Sequence, residues 1–455
     1  MTFKNLQEKM ASFPSPVAML RSSQTAGYVH PIQAEFSNWQ DEQRAWRETA
    51  ILFDQSYTML DLYIEGPDLV RLLTRAGVNS FENFKPGKAK QLVCCNQDGF
   101  VIGDAILFYL PNGRANVVGR PAVGNWLQYL VETEKFDVSA ERDEPGPPHV
   151  RKRKTFRFQL QGPNAWQVLE RLHGRPLPNI KFFNLGELTL GGHQVVALRH
   201  GMVGAPGLEF FGKAEEHDDL LGAILRAGED LGLRRSGSRA YPSSVFESGW
   251  ISSPVPAIYS GDGMRGYREW LPAHSYEANA SLGGSFVSTN IEDYYLRPSD
   301  LGYGMHVKFD HDFVGRDALE AQEGKPTRKK VTLIWNAEDV GRILTSMLRK
   351  GPKPKSLEFP LSYYSILPYD EVKTGERIVG ISAYSGYLST DRTWMSLAMI
   401  DEADAATGSE VLVTWGDPDG GGTRPPVEPH VQTQIRATVA PCPHWQVARD
   451  EYRHT

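Results

Sequence analysis

Trp39, Ala45, Trp46 and Ala50 recur at helical spacing and predict a helix over 39–50. Directly after it, Ile51 to Met59 reads as a strand whose pattern is broken by Asp54, Gln55 and Ser56, polar residues that face either water or a site. Leu60 to Ile64 continues extended, and Gly66-Pro67 opens a helix running through Leu73. The same strand, Gly-Pro and helix order returns about 96 residues later, with Phe156 to Leu160, Gly162-Pro163 and Ala165 to Leu172. That interval is too long for a solenoid and suits two related subdomains. Between the two units, Asp98-Gly99 predicts a hairpin within Leu92 to Tyr109. Pro111-Asn112-Gly113 turns the chain again, and Ala115 to Val118 forms a strand ending at Gly119-Arg120-Pro121. The first thirty residues carry Pro14, Pro16 and Gly27 and predict little regular structure before Tyr28-Val29-His30-Pro31.

Further along, the apolar run Val195 to Leu198 reads as a buried strand and leads into Arg199 to Phe211, rich in glycine and proline. Such a stretch predicts a tight, irregular turn, with Glu209 where apolar sequence resumes. Read plainly, this is a hairpin with a surface glutamate. A carboxylate beside a strand can also accept two parallel N–H bonds from an amidine-like edge, which the 2-amino-4-oxo edge of a pterin offers. A helix is expected from about Glu216 to Leu231, and a short one from Asp317. From Lys330 onward the pattern turns strand-rich, notably at Val379 to Ser385 and Val411 to Trp415, and predicts a separate C-terminal β-barrel or sandwich.

Length and composition narrow the classes. At 455 residues the chain has room for about two to four domains. Apolar residues at 40% and charged ones at 23% are ordinary for a globular protein, and a net charge of -6 offers no basic surface to nucleic acid. Arg151 to Lys154 is the one dense basic cluster and reads as a solvated loop. The cysteines, Cys94, Cys95 and Cys442, show no metal-ligand spacing. No window approaches a membrane span, and a reduced, soluble, cytoplasmic protein is expected. No Gly-x-Gly-x-x-Gly follows a strand, since Gly302-Tyr303-Gly304 lacks the third glycine.

Four stretches in order resemble the folate-dependent family of the glycine-cleavage T-protein, the aminomethyltransferases. Arg199 to Glu209 is similar to the family's pterin-binding turn, with Glu209 at its pterin-binding glutamate. Met202-Val203-Gly204-Ala205-Pro206 replaces the usual Tyr-Thr-Gly-Glu-Asp there. Asp98 to Tyr109 is similar to the Gly-Gly-Ile-x-Asp-Asp stretch, with Gly103 at the first aspartate and Asp104 at the one that assists chemistry. Gly302 to Leu319 and Gly375 to Ala398 resemble two further family signatures. Asp54-Gln55-Ser56, Gly119-Arg120-Pro121, Tyr28, and Arg239-Ala240-Tyr241 with Glu247-Ser248-Gly249-Trp250 resemble the tetrahydrofolate-dependent aromatic O-demethylases within that family.

The resemblance implies an α+β fold of three domains around a central folate channel. It places two interleaved subdomains in 1–325 (about 1–50 with 145–290, and 51–144) and a β-barrel in 326–455. It implies transfer of a methyl group from vanillate, syringate or 3-O-methylgallate to N5 of tetrahydrofolate, with no metal. Tyr241, with Tyr28 near it, is then catalytic. Arg120, Gln55 and Thr58 meet the aromatic acid, and Glu209, Trp250, Phe182 and Asp104 serve the folate. Thr58 replaces a histidine of the vanillate-type enzymes and leaves room for a bulkier ring. The chemistry suits these types: a tyrosine is matched in acidity to a departing phenolate, an arginine fork to a carboxylate, and an indole to a stacked heterocycle. Each also has a plain structural reading, as a loop anchor, an exposed cation or a packing ring. Two other functions remain open, a folate-dependent transferase acting on an aminomethyl, sarcosine or dimethylsulfoniopropionate substrate, and a non-catalytic folate-binding protein.

Overall fold

A computed structural model of the chain describes residues 3–452 apart from positions 148, 253, 326 and 423. Three sheets organise it. A six-stranded sheet combines Ala50–Asp54 with Thr155–Gln161, Leu185–Leu190, His193–Leu198, Gly207–Lys213 and Leu233–Arg235. A five-stranded sheet is built from Leu60–Glu65, Lys88–Cys95, Val101–Tyr109, Ala115–Gly119 and Ser139–Asp143. The chain therefore starts one sheet, leaves to complete another, and returns. The α+β expectation holds.

The two Gly-Pro units lie one in each of these sheets. Leu60–Glu65 leads to a helix at Leu69–Ala76, and Thr155–Gln161 leads to one at Ala165–His173. Their glycines are required by geometry. Gly66 has φ +140° with the Asp137 carbonyl 2.4 Å from where a Cβ would stand, and Gly162 has φ +123° with the Thr49 carbonyl at 2.6 Å. A side chain would have nowhere to go at either position.

In the C-terminal region Leu367–Thr374, Glu410–Trp415, Thr433–Ala440, Arg328–Trp335, Thr393–Asp401 and Arg377–Leu388 follow one another around a ring. Pairing of Leu367–Thr374 with Arg377–Leu388 closes it into an antiparallel barrel with no free edge. The expected β-barrel is present.

Three local expectations are corrected. The opening segment is helical, at Leu6–Ala11 and Pro16–Ser22, because Asn5 and Ser15 cap the two helices through bonds from the backbone N–H groups of Glu8 and Ala18. Pro16 occupies a first-turn position, where a missing N–H costs nothing. The strand after Thr49 stops at Asp54 rather than continuing to Met59, since the Thr58 N–H closes a turn on the Gln55 carbonyl. Within the basic cluster, Arg153 is buried rather than solvated and bonds Asp61 and the Met59 carbonyl.

Candidate active site

One pocket of about 550 Å³, open mouth included, lies where these regions meet. Its wall draws on His30, Thr58, Arg120, Met202, Tyr241, Trp250, Ser252, Tyr363 and Tyr384, so the N-terminal segment, connections at the strand ends of the two N-terminal sheets and the barrel strand Arg377–Leu388 contribute.

Arg120 caps the helix Pro121–Thr133 at the end of Ala115–Gly119, so its side chain leaves the sheet at an edge. Among the described residues no carboxylate pairs with it; the groups around its charge are the phenols of Tyr363, Tyr276, Tyr28 and Tyr384. The guanidinium lies 4.1 Å from the centre of the Tyr28 ring. A cation held on aromatic faces keeps its planar fork available to an incoming anion. The Tyr28 hydroxyl itself donates to the Thr58 carbonyl at 3.1 Å.

Tyr241 begins a short 3-10 turn, Tyr241–Ser244, and is 3% exposed. Gln55 Nε2 donates to its hydroxyl oxygen at 3.2 Å and also reaches the Met202 sulfur at 2.8 Å. The phenol oxygen thus receives one hydrogen bond, from Gln55. Burial pushes its pKa well above the usual tyrosine value, although bonds from Gln55 and Thr58 and the Arg120 charge work the other way. Tyr241 therefore stays protonated across ordinary pH. Thr58 closes the turn beneath, its hydroxyl bonding the Gln55 carbonyl at 3.1 Å.

Asp104 lies in the strand Val101–Tyr109. One carboxylate oxygen, Oδ2, accepts from Trp250 Nε1 at 2.9 Å, Tyr303 at 3.0 Å and Gln91 Nε2 at 2.5 Å. The other, Oδ1, is buried without a partner among the described residues. Burial raises the Asp104 pKa in spite of those donors. Glu209, in Gly207–Lys213, receives Arg157 Nη1 at 2.6 Å on Oε1, while Gln159 Nε2 stands 3.4 Å from Oε2. Arg157 also holds Asp61 at 2.7 Å, and Arg153 holds the same carboxylate at 2.5 Å. These four buried charges knit the two N-terminal sheets together.

The structure thus brings Tyr241, Tyr28, Arg120, Gln55, Thr58 and Trp250 into one neighbourhood, with Asp104 behind the tryptophan. Phe182 is not part of that wall; its ring meets Phe183 at 4.9 Å and Tyr452 at 5.5 Å. Sequence reasoning missed His30, Ser252, Tyr363 and Tyr384. Tyr384 stands at φ 55° where the pairing of Arg377–Leu388 with Thr393–Asp401 slips, and that irregularity turns its side chain toward the pocket. Its neighbours Ala383 and Ser385 carry no turn signal that announces the slip.

The family described as the GCVT N-terminal domain matches residues 6–254, and the chain belongs to that family. It is 45% identical over 451 residues to syringate O-demethylase of Sphingobium sp. (strain NBRC 103272 / SYK-6), covering 99% of this chain and 98% of the relative. Sesamin methylene transferase of Sinomonas sp. (strain No.22) is 28% identical over 437 residues, 92% of this chain and 91% of that protein. The crystal structure of glycine cleavage system aminomethyltransferase T from Bartonella henselae superposes with a TM-score of 0.61 at 18% identity, covering 95% and 97% of the two chains, and establishes the fold. The family resemblance drawn from the motifs is borne out.

Proposed function

We propose that this protein is a tetrahydrofolate-dependent O-demethylase of a methoxylated aromatic acid of the syringate, vanillate or 3-O-methylgallate type. The observation that carries the reading is Arg120, a pocket-lining cation that no described carboxylate neutralises, in the same wall as the buried phenol of Tyr241. The 45% identity to a syringate O-demethylase along nearly the whole chain supports the substrate class.

The residues fit a reduced pterin. Asp104 Oδ1 is a buried acceptor with no donor among the described residues, and the Trp250 indole held by the same carboxylate lines the pocket. With Glu209, these groups would hold tetrahydrofolate, which when bound supplies the N5 amine that accepts the methyl group.

The protein's own part is positioning and proton supply. Arg120 receives the carboxylate bidentately and fixes the ring. Tyr28 keeps the guanidinium in place, its hydroxyl being committed to Thr58. As the methyl–oxygen bond breaks, Tyr241 gives its proton to the departing phenolate oxygen; the methyl group would take the place of the N5 proton of bound tetrahydrofolate, and that proton would restore the phenol. Gln55 orients that hydroxyl by donating to its oxygen. An unperturbed tyrosine is matched in acidity to a leaving phenol; burial raises Tyr241 above that match, and the same desolvation acts on a phenolate formed beside it.

The test is incubation with tetrahydrofolate and vanillate, syringate or 3-O-methylgallate, with phenol and 5-methyltetrahydrofolate read by chromatography. Coupled appearance of both products is expected, and their absence with every acid overturns the reading.

A further inference from the structure

His30 lines the same pocket and has no role in the chemistry above. It is 8% exposed, and its ring centre lies 4.1 Å from that of Tyr241 and 5.0 Å from that of Tyr28. Its Nδ1 is buried with no hydrogen-bond partner among the described residues. Burial, aided by the Arg120 charge, holds its pKa well below the ordinary histidine value, so the ring is neutral. A buried polar ring nitrogen without a partner is unfavourable unless something satisfies it. A packing role alone is served better by leucine or phenylalanine.

We propose that His30 is a substrate-contact residue that reads an oxygen substituent on the aromatic ring. This rests on the aromatic-acid reading of the pocket. A neutral imidazole presents one N–H and one lone pair. Because no described residue holds Nδ1, neither tautomer is imposed there, and the ring can accept from a hydroxyl or donate to an ether oxygen. Its ring lies beside the phenol assigned to the leaving oxygen, tilted 51° to it, so the substituent it meets is one near the scissile ether. The consequence is discrimination: a site with a buried polar group waiting for a partner rejects the ring that lacks the matching oxygen.

The experiment is calorimetric titration of the whole protein with benzoate, 3-hydroxybenzoate and 4-hydroxybenzoate, which need no turnover. It compares wild type, His30→Phe and His30→Gln. Wild type is expected to bind at least one hydroxybenzoate about tenfold more tightly than benzoate, the scale of one hydrogen bond to a buried group. His30→Phe is expected to lose that preference while still binding benzoate, and His30→Gln to recover part of it. If wild type shows no preference, if His30→Phe keeps it, or if His30→Phe weakens all three acids equally, the assignment falls. If wild type binds none of the acids, the aromatic-acid pocket falls with it. A His30→Phe protein that fails to fold leaves the decision to His30→Gln, whose unchanged weakening of all three acids would also overturn the proposal.

Discussion

The Arg120 guanidinium rests 4.1 Å from the centre of the Tyr28 ring, and the Tyr28 hydroxyl is tied to the Thr58 carbonyl. An N-terminal segment thereby braces a cation from the five-stranded sheet. Tyr28→Ala should raise KM for the aromatic acid about five- to tenfold, matching a cation–π contact of about 1 kcal/mol. Tyr28→Phe, which retains the ring, should stay within about threefold of wild type. Steady-state kinetics on both variants checks this.

Tyr241→Phe removes the proton donor and leaves the packing against Phe53 and His30. Its kcat should fall by about 10² to 10⁴ with little change in acid affinity, the loss typical of a general acid. Single-turnover rates with equilibrium titration separate the two quantities.

Arg120→Ala should weaken binding of benzoate-type acids by roughly ten- to a hundredfold, the worth of a charge-assisted hydrogen bond. Arg120→Lys should restore only part of this, because a point charge cannot reproduce the planar fork. Methyl anisole derivatives without a carboxylate should discriminate little between these variants, which competition binding would measure.

Arg157 stands between Asp61 and Glu209, at 2.7 Å and 2.6 Å, with all three side chains buried. Arg157→Met leaves Glu209 without its cation and Asp61 with Arg153 alone, and should cost about 3–5 kcal/mol of stability. Chemical denaturation curves give the value directly.

Asp370 is buried in the barrel, and burial raises its pKa to about 7 from 3.8, partly opposed by the Lys355 charge and the Ser285 N–H. A carboxyl raised on folding contributes stability that is full below its unfolded pKa and is lost as pH rises through the folded one. The window therefore runs from about pH 4 to pH 7. Asp370→Asn should flatten the decline of Tm across that window and raise Tm at pH 8 relative to wild type. Scanning calorimetry at pH 5 and pH 8 decides it.

Much of the local structure was legible because its signals are local. Asp98-Gly99 does separate Lys88–Cys95 from Val101–Tyr109, and the predicted helix at 39–50 is found at Trp39–Glu48. Val195 to Leu198 lies within the strand His193–Leu198. Pro16–Ser22 escaped because Pro16 was read as a breaker and not as a first-turn residue, and Leu6–Ala11 because it is only six residues long. Arg153 escaped because its partners Asp61 and Asp143 are distant in sequence.

The sequence by itself determined the elements, the family and the residue types suited to acid, anion and heterocycle, since backbone propensity and motif spacing act over a few residues. Only the tertiary structure decided which of those groups share one wall. It seats Tyr28 and His30 from an irregular segment beside Arg120 and Tyr241, and brings Tyr363 and Tyr384 across from the barrel. It also keeps Phe182 against Tyr452. Those proximities arise from sheet packing and strand slippage between distant segments, where no short-range pattern carries the information.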